Sequence, residues 1–318
     1  MKYRELGYTG EKISAVSLGC MGMSQGFGDP ADKKEMISLL HEALDLGVNM
    51  FDTAESYGPY ENERLLGEAF RDRRERVFLA TKCAMIPDGD GHYKIDASPE
   101  SIRRSIEGSL ERLQTDYIDL YYLHRIDPNV PIEVVADLMK TLKEEGKIRY
   151  WGVSEAKLED IKKAHAIFPL AAVESEYNMM WREVEKEVLP YLREQKIALV
   201  PFSPLARGFM TGTINKDTKF SANDNRSRYS RFTPEIIEAN QKLIDLVNSF
   251  AEKYSCTTAQ ITLAWLLGQY EYLIPIPGSR KLSRIKENTS AADIDFSKED
   301  LKALTDALDH LEIAGNRF

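Results

Sequence analysis

The segment NMFDTAESYG, residues 49–58, is where the fold of the chain can first be read. An apolar run of Val48, Met50 and Phe51 stops at Asp52, and Tyr57 follows five residues later. A run of this length, closed by a turn-forming carboxylate, reads as a buried strand that presents polar groups at its end. Similar runs recur along the chain. In order they are ISAVSLG (13–19), VNMF (48–51), VFLA (77–80), YIDLYYL (117–123), IRYWGV (148–153), AAV (171–173), IALVPF (197–202) and YLIPI (272–276). Amphipathic helical patterns lie between them. In SPESIRRSIEGSLERL, Ser98 is placed to cap a helix with Pro99 first, and Ile102, Ile106, Leu110 and Leu113 share one face. TPEIIEANQKLIDLVNSFAEKY repeats the device with Thr233 and Pro234, and KKEMISLLHEALDLG stops at Gly47.

Strands joined by helix-sized crossovers pair in parallel. Eight such units in 318 residues predict an α/β fold of the (β/α)8 TIM-barrel type, with an extra C-terminal helix. The rival is an open doubly wound sheet, which would carry G-x-G-x-x-G after its first strand. The glycines of SLGCMGMSQGFG do not match that spacing, so the rival ranks second. Residues 210–235, after the seventh run, are long, polar and unpatterned, as expected of a lid over a functional site or of a disordered loop. No composition break marks a linker, and residues 1–318 read as one domain.

Composition removes several function classes. An apolar share of 43% supports a substantial core, while a net charge of −9 argues against generic nucleic-acid or anionic-membrane binding. No apolar run approaches a membrane span of about 20 residues, and the start MKYRELGYTG lacks a signal-peptide apolar segment. Cys20, Cys83 and Cys256 are odd in number and widely spaced, which points away from a disulfide framework or zinc site and toward the cytoplasm.

A barrel gathers its reactive groups at the C-terminal ends of its strands. There the second run ends in Asp52, with Tyr57 in the following loop, the third in Lys82 and the fourth in His124. Singly, each has an ordinary explanation: a solvated lysine, a packing histidine, a turn-starting aspartate. Together, at successive strand ends, they form a proton-donating set. The Lys82 ammonium is expected to lower the Tyr57 pKa, Asp52 to hold the ammonium, and His124 to orient a carbonyl oxygen, with no metal required.

These residues also carry a resemblance. GVNMFDTAESYG, VFLATK, LYYLH, GVSE, FSPLARGFMTG and IPIPGSRKLSRIKEN resemble the aldo-keto reductase family, in order, across nearly the whole chain. The resemblance implies a barrel holding a nicotinamide cofactor across its mouth. It implies Tyr57 as general acid, tuned by Lys82 and Asp52, and His124 placing the carbonyl.

Independently, PIPGSRKLSRIKEN sets Arg280, Lys281, Arg284 and Lys286 beside a helix start preceded by Gly278 and Ser279, a favourable place for a phosphate. By resemblance, Ser279, Arg280 and Arg284 hold the adenosine 2′-phosphate, and Glu287 and Asn288 contact the adenine, making NADPH/NADP+ the cofactor. The resemblance also implies that Phe202 stacks on the nicotinamide, that Ser203, Pro204, Leu205, Arg207 and Gly208 wrap the pyrophosphate, and that Gly19, Met21, Asp52, Ser154, Glu155 and Glu174 complete the cofactor set. Glu155 and Glu174 depart from the Asn and Gln that many members carry, and an ionised glutamate cannot donate to the carboxamide oxygen. Ala206 replaces a glycine often seen in the phosphate loop.

The leading expectation is therefore an NADPH-dependent reductase of a small carbonyl substrate, without nucleic-acid or membrane partners. A nicotinamide-binding regulatory subunit of the channel-β type, with weak reductase activity, is the alternative. A Schiff-base lyase built on Lys82 is a third reading, opposed by the adjacent Asp52. Met23, Phe27, Met85, Trp151, Tyr229 and Phe232 are expected to line an apolar, aromatic substrate pocket.

Overall fold

The computed structural model describes residues 1–89 and 92–317. Seven parallel strands form one sheet in chain order: β1 (Leu18–Gly19), β2 (Met50–Asp52), β3 (Phe78–Cys83), β4 (Ile118–Leu123), β5 (Ile148–Ser154), β6 (Ala172–Glu176) and β7 (Ala198–Phe202). The eighth apolar run closes the ring without a regular ladder. On one side Leu199 N–H donates to Tyr272 O and Ile274 N–H to Leu199 O. On the other, Ser17 N–H donates to Pro275 O, and Gly19 bridges to Gly278. Pro275 and Pro277 have no N–H to give, so this segment cannot pair along its length. The result is a (β/α)8-type barrel with the expected order.

The N-terminal run divides. Residues Lys12–Ser14 pair with Tyr3–Glu5 in an antiparallel hairpin, and only Leu18–Gly19 joins the barrel. Leu6 and Ile13 of the hairpin plug the N-terminal end of the barrel interior. Gly7 sits there at φ 57°, where a Cβ would collide with the Lys196 carbonyl. Among the helices, α1 (Lys33–Asp45) is followed by Gly47 at φ 97°. Helix α2 spans Glu61–Phe70, and α3 (Pro99–Leu113) is capped by the Ser98 side chain, which accepts from Ser101 N–H. The 233–254 pattern breaks into two helices, Pro234–Ala239 and Gln241–Lys253. Thr233 stands at the start without a side-chain cap bond, and Asn240 at the break hydrogen-bonds both backbone groups of Ala314. The expected C-terminal helix is Lys298–Asp309.

Two apolar layers result. Met50, Phe78, Ala80, Leu120, Tyr122, Ala172, Ala198, Val200 and Ile274 fill the barrel, while Phe51, Leu79, Tyr121, Trp151, Val173 and Leu199 face the helices. The polar segment 210–235 is held by short helical turns at Asn225–Arg228 and Ser230–Phe232. Asn225 N–H donates to Gly26 O, which ties this loop to the loop after β1. Among the described residues, no helix is long and apolar enough to cross a membrane.

Candidate active site

Strand alternation decides which side chains reach the barrel mouth. Inward positions run Met50 and Asp52 on β2, then Phe78, Ala80 and Lys82 on β3. Leu120 and Tyr122 on β4 lead to His124, Ala172 on β6 to Glu174, and Val200 on β7 to Phe202. The apolar layers below end in a polar layer above, one period higher.

At its centre is Lys82, fully buried. Its Nζ donates to Asp52 Oδ1 at 2.5 Å and Thr53 O at 2.9 Å, and lies 3.4 Å from Glu174 Oε2. Burial disfavours the ammonium, but Asp52 and Glu174 outweigh it and hold its pKa above the ordinary lysine value. Burial also pushes the Asp52 carboxyl up against the pull of Lys82, and lifts Glu174 to about 8. The Lys82 nitrogen lies 5.2 Å from the Tyr57 ring centroid, and the Tyr57 ring meets His124 edge-on at 5.9 Å.

The sequence-based expectation of a lowered Tyr57 pKa is corrected here. Burial pushes the phenol up to about 12; Lys82 pulls it back in part, while Asp52 and Glu174 push it further. The ammonium's pull is the largest single influence after burial, but the two carboxylates that share it oppose it. His124 moves the other way: burial, then Lys82 and Arg125, keep its imidazole neutral, and its Nδ1 lies 3.5 Å from Ser56 Oγ.

A cavity of about 790 Å³ opens above this cluster. Asp52, Tyr57 and His124 line one part of it, with Gly19, Met21, Ser154, Glu174 and Phe202. Gly278, Ser279, Arg280, Arg284, Glu287 and Asn288 line another, and the loop Ser203, Pro204, Leu205, Arg207 and Gly208 lines the wall after β7. That loop turns through left-handed backbone at Ser203, Ala206 and Arg207 (φ 47°, 48° and 56°), so alanine takes a conformation that glycine adopts more freely. Two of the basic groups already have partners. Arg280 donates to Phe27 O at 2.5 Å and Asp29 O at 2.8 Å, and Arg284 pairs with Glu287 at 2.6 Å.

Of the residues expected to form the substrate pocket, Phe27, Met85 and Tyr229 line the cavity. Met23, Trp151 and Phe232 do not, which is a correction. Met23 is buried in the outer core. Trp151 is an outward neighbour of inward Ser154, three residues away, and stacks on Phe168 at 5.8 Å. Phe232 packs edge-on against Phe220 at 5.4 Å. Glu155 also leaves the expected cofactor set. At φ 55° its side chain turns aside, accepting from Glu176 N–H at 2.8 Å and pairing with Arg317 at 2.5 Å.

Of the lining residues that escaped the sequence reading, Arg125, Gln25 and Tyr93 make side-chain hydrogen bonds beside the catalytic set. Arg125 Nη1 donates to His124 O at 2.6 Å and to Ser154 Oγ at 3.1 Å. Gln25 accepts from Gly58 N–H at 2.8 Å, and Tyr93 O–H donates to Ser56 O at 3.3 Å. Arg125 was signalled by its place directly after His124. Tyr93 depends on a hairpin of Met85–Pro87 with Tyr93–Ile95, for which the Asp88-Gly89 pair was the available cue.

Residues 15–309 match the model of the aldo/keto reductase family. A protein described as probable aldo-keto reductase 1, from Glycine max, is 38% identical over 315 residues, spanning 99% of this chain and 91% of that protein. The structure is similar to a glycerol dehydrogenase from Gluconobacter oxydans (TM-score 0.88, 29% identity), covering 96% of this chain and 95% of the other. It is also similar to an aldo-keto reductase from Klebsiella pneumoniae in complex with NADPH (TM-score 0.74, 26% identity), covering 97% and 95%.

Proposed function

The chain belongs to the aldo/keto reductase family, and on that premise we propose that it reduces small aldehydes or ketones to alcohols with NADPH, Tyr57 supplying the proton. The observation that carries this reading is a cavity lined at one part by a half-buried phenol and a neutral imidazole, with the ion-paired Lys82 buried beside the phenol, and at another part by Arg280 and Arg284. The cavity fits a dinucleotide. Asp52 Oδ2 and Glu174 Oε2 are buried polar atoms without hydrogen-bond partners among the described residues. Gly19 and Gly278 approach so closely that a Cβ on either would press on the other segment's backbone, at 2.8 and 3.0 Å.

The nicotinamide, when bound, supplies the hydride. Ser154, Phe202 and Glu174 border its place, Ser279, Arg280 and Arg284 serve the 2′-phosphate, and Glu287 and Asn288 the adenine. For Arg284 this means sharing or exchanging its contact with Glu287. Tyr57 stays protonated at neutral pH and gives its proton to the alkoxide that develops as hydride arrives, a far stronger base than phenolate. Neutral His124 donates a hydrogen bond that fixes the carbonyl oxygen beside the phenol. Lys82 steadies the phenolate left behind, and Asp52 keeps Lys82 charged. The same pairing opposes a Schiff-base role, which needs a neutral amine. Phe27, Met85, Tyr93 and Tyr229 give the cavity aromatic and apolar walls suited to aromatic or medium-chain aldehydes and dicarbonyls. Oxidation of NADPH measured against a panel of such carbonyls tests the proposal; no turnover with any of them, despite NADPH binding, would favour the regulatory alternative.

A further inference from the structure

Glu174 occupies an inward position on β6 that the proton-donating set does not require. It is 3% exposed, lines the cavity beside Ser154 and Phe202, and its Oε2 has no hydrogen-bond partner among the described residues. Two carboxylates therefore share one ammonium, and full ionisation would leave a net negative charge in a buried space. One proton relieves it. Asp52 holds the short hydrogen-bonded contact at 2.5 Å and Glu174 the longer one at 3.4 Å, so Glu174 is the carboxylate that keeps the proton more readily.

The charged and titratable groups that face Glu174 are Asp52 and Tyr57 from β2 and its loop, Lys82 from β3, and Tyr122, His124 and Arg125 from β4 and its end. Its register partners on β5 and β7, Ser154 and Val200, carry no charge. Burial and Asp52 favour the protonated form, and Lys82 and Arg125 the ionised one. This balance is close enough for one added charge to tip it.

We propose that Glu174 is a redox-sensing carboxylate: it sheds its proton beside the oxidised, positively charged nicotinamide and keeps it beside the reduced, neutral ring. The inference rests on the cofactor reading given above. Its consequence is a bias, since a ligand form bound more tightly shifts the equilibrium toward itself. The bound couple becomes a stronger hydride donor than the free one. A glutamine at this position could not do this.

Calorimetric titration of NADP+ and of NADPH into the protein at about pH 7, in two buffers of different ionisation heat, counts protons released on binding. The 2′-phosphate contributes equally to both forms and cancels in the difference. Wild type is expected to release roughly half a proton or more per NADP+ beyond that for NADPH. Glu174→Gln is expected to abolish the difference and to lower the NADP+/NADPH affinity ratio at least about fivefold, since a unit charge near the ring is worth about 1 kcal/mol even at water-like screening. Equal proton counts for the two forms in wild type, or a difference that survives in Glu174→Gln, would overturn the proposal. Should the variant fail to fold, the wild-type ratio between about pH 6 and 9 decides. It is expected to rise with pH and level off near the Glu174 value of about 8; a flat ratio overturns the assignment. Failure of wild type to bind either form would instead overturn the cofactor reading on which the inference rests.

Discussion

Lys82 Nζ lies 2.5 Å from Asp52 Oδ1, with both side chains buried at the end of adjacent parallel strands. The pair is a support for Tyr57, not a surface ornament. Lys82→Met would leave Asp52 and Glu174 buried without their ammonium, at a stability cost of about 3–5 kcal/mol. Lys82 is the main group pulling the Tyr57 pKa down, so the variant should titrate at higher pH than wild type as well as turn over slowly. A pH–rate profile on the residual activity checks this, and an unmoved alkaline limb would count against the coupling.

Arg284 pairs with Glu287 on an exposed helix face, where such a pair contributes about 0–1 kcal/mol. Arg284→Ala should therefore leave stability nearly unchanged. Loss of one charge-assisted phosphate contact, about 1.5–3 kcal/mol, should weaken NADPH roughly 10- to 150-fold and NADH little. Fluorescence titration with both cofactors decides, and equal losses would move the 2′-phosphate elsewhere.

Glu55 lies in the same loop as Tyr57, buried, with Oε1 accepting from Ser105 Oγ at 3.0 Å and Oε2 4.0 Å from Arg112. Burial, opposed by the Ser105 hydrogen bond and aided by Glu63, raises its pKa from 4.5 to about 7. The folded state thus binds this proton more tightly than the unfolded state. The associated stability is complete below about pH 4.5 and is lost as pH rises through about 7. Glu55→Gln should remove this component, gaining on wild type by up to about 3 kcal/mol between pH 5 and 8. Denaturant unfolding of both proteins at those two pH values tests it; a constant difference would contradict the assignment.

Much of this was legible because it follows from period and position. Asp52, Lys82 and His124 lie at strand ends, and inward parity carries all three to one mouth. The same parity, applied from Ser154, would have turned Trp151 outward. The split of residues 13–19 was hidden because hairpin and barrel segments are both apolar, and the break at Asn240 because it depends on Ala314, 74 residues away. Glu155 was misplaced for a similar reason. Its side chain answers to Arg317 and Glu176, partners that no local pattern shows. The raised Tyr57 pKa required knowing first that folding strips water from the phenol, and then that Asp52 and Glu174, on different strands, oppose the pull of Lys82.

The most direct test of the proposed chemistry is Tyr57→Phe, which removes one hydroxyl and leaves the ring against His124. NADPH affinity, by fluorescence titration, and NADPH oxidation with an aromatic aldehyde and a dicarbonyl are to be measured on both proteins. The expected result is NADPH affinity close to that of wild type, with carbonyl reduction slower by about 10²–10⁴-fold, the usual contribution of general acid catalysis. Near-normal turnover by the variant would contradict Tyr57 as the proton donor.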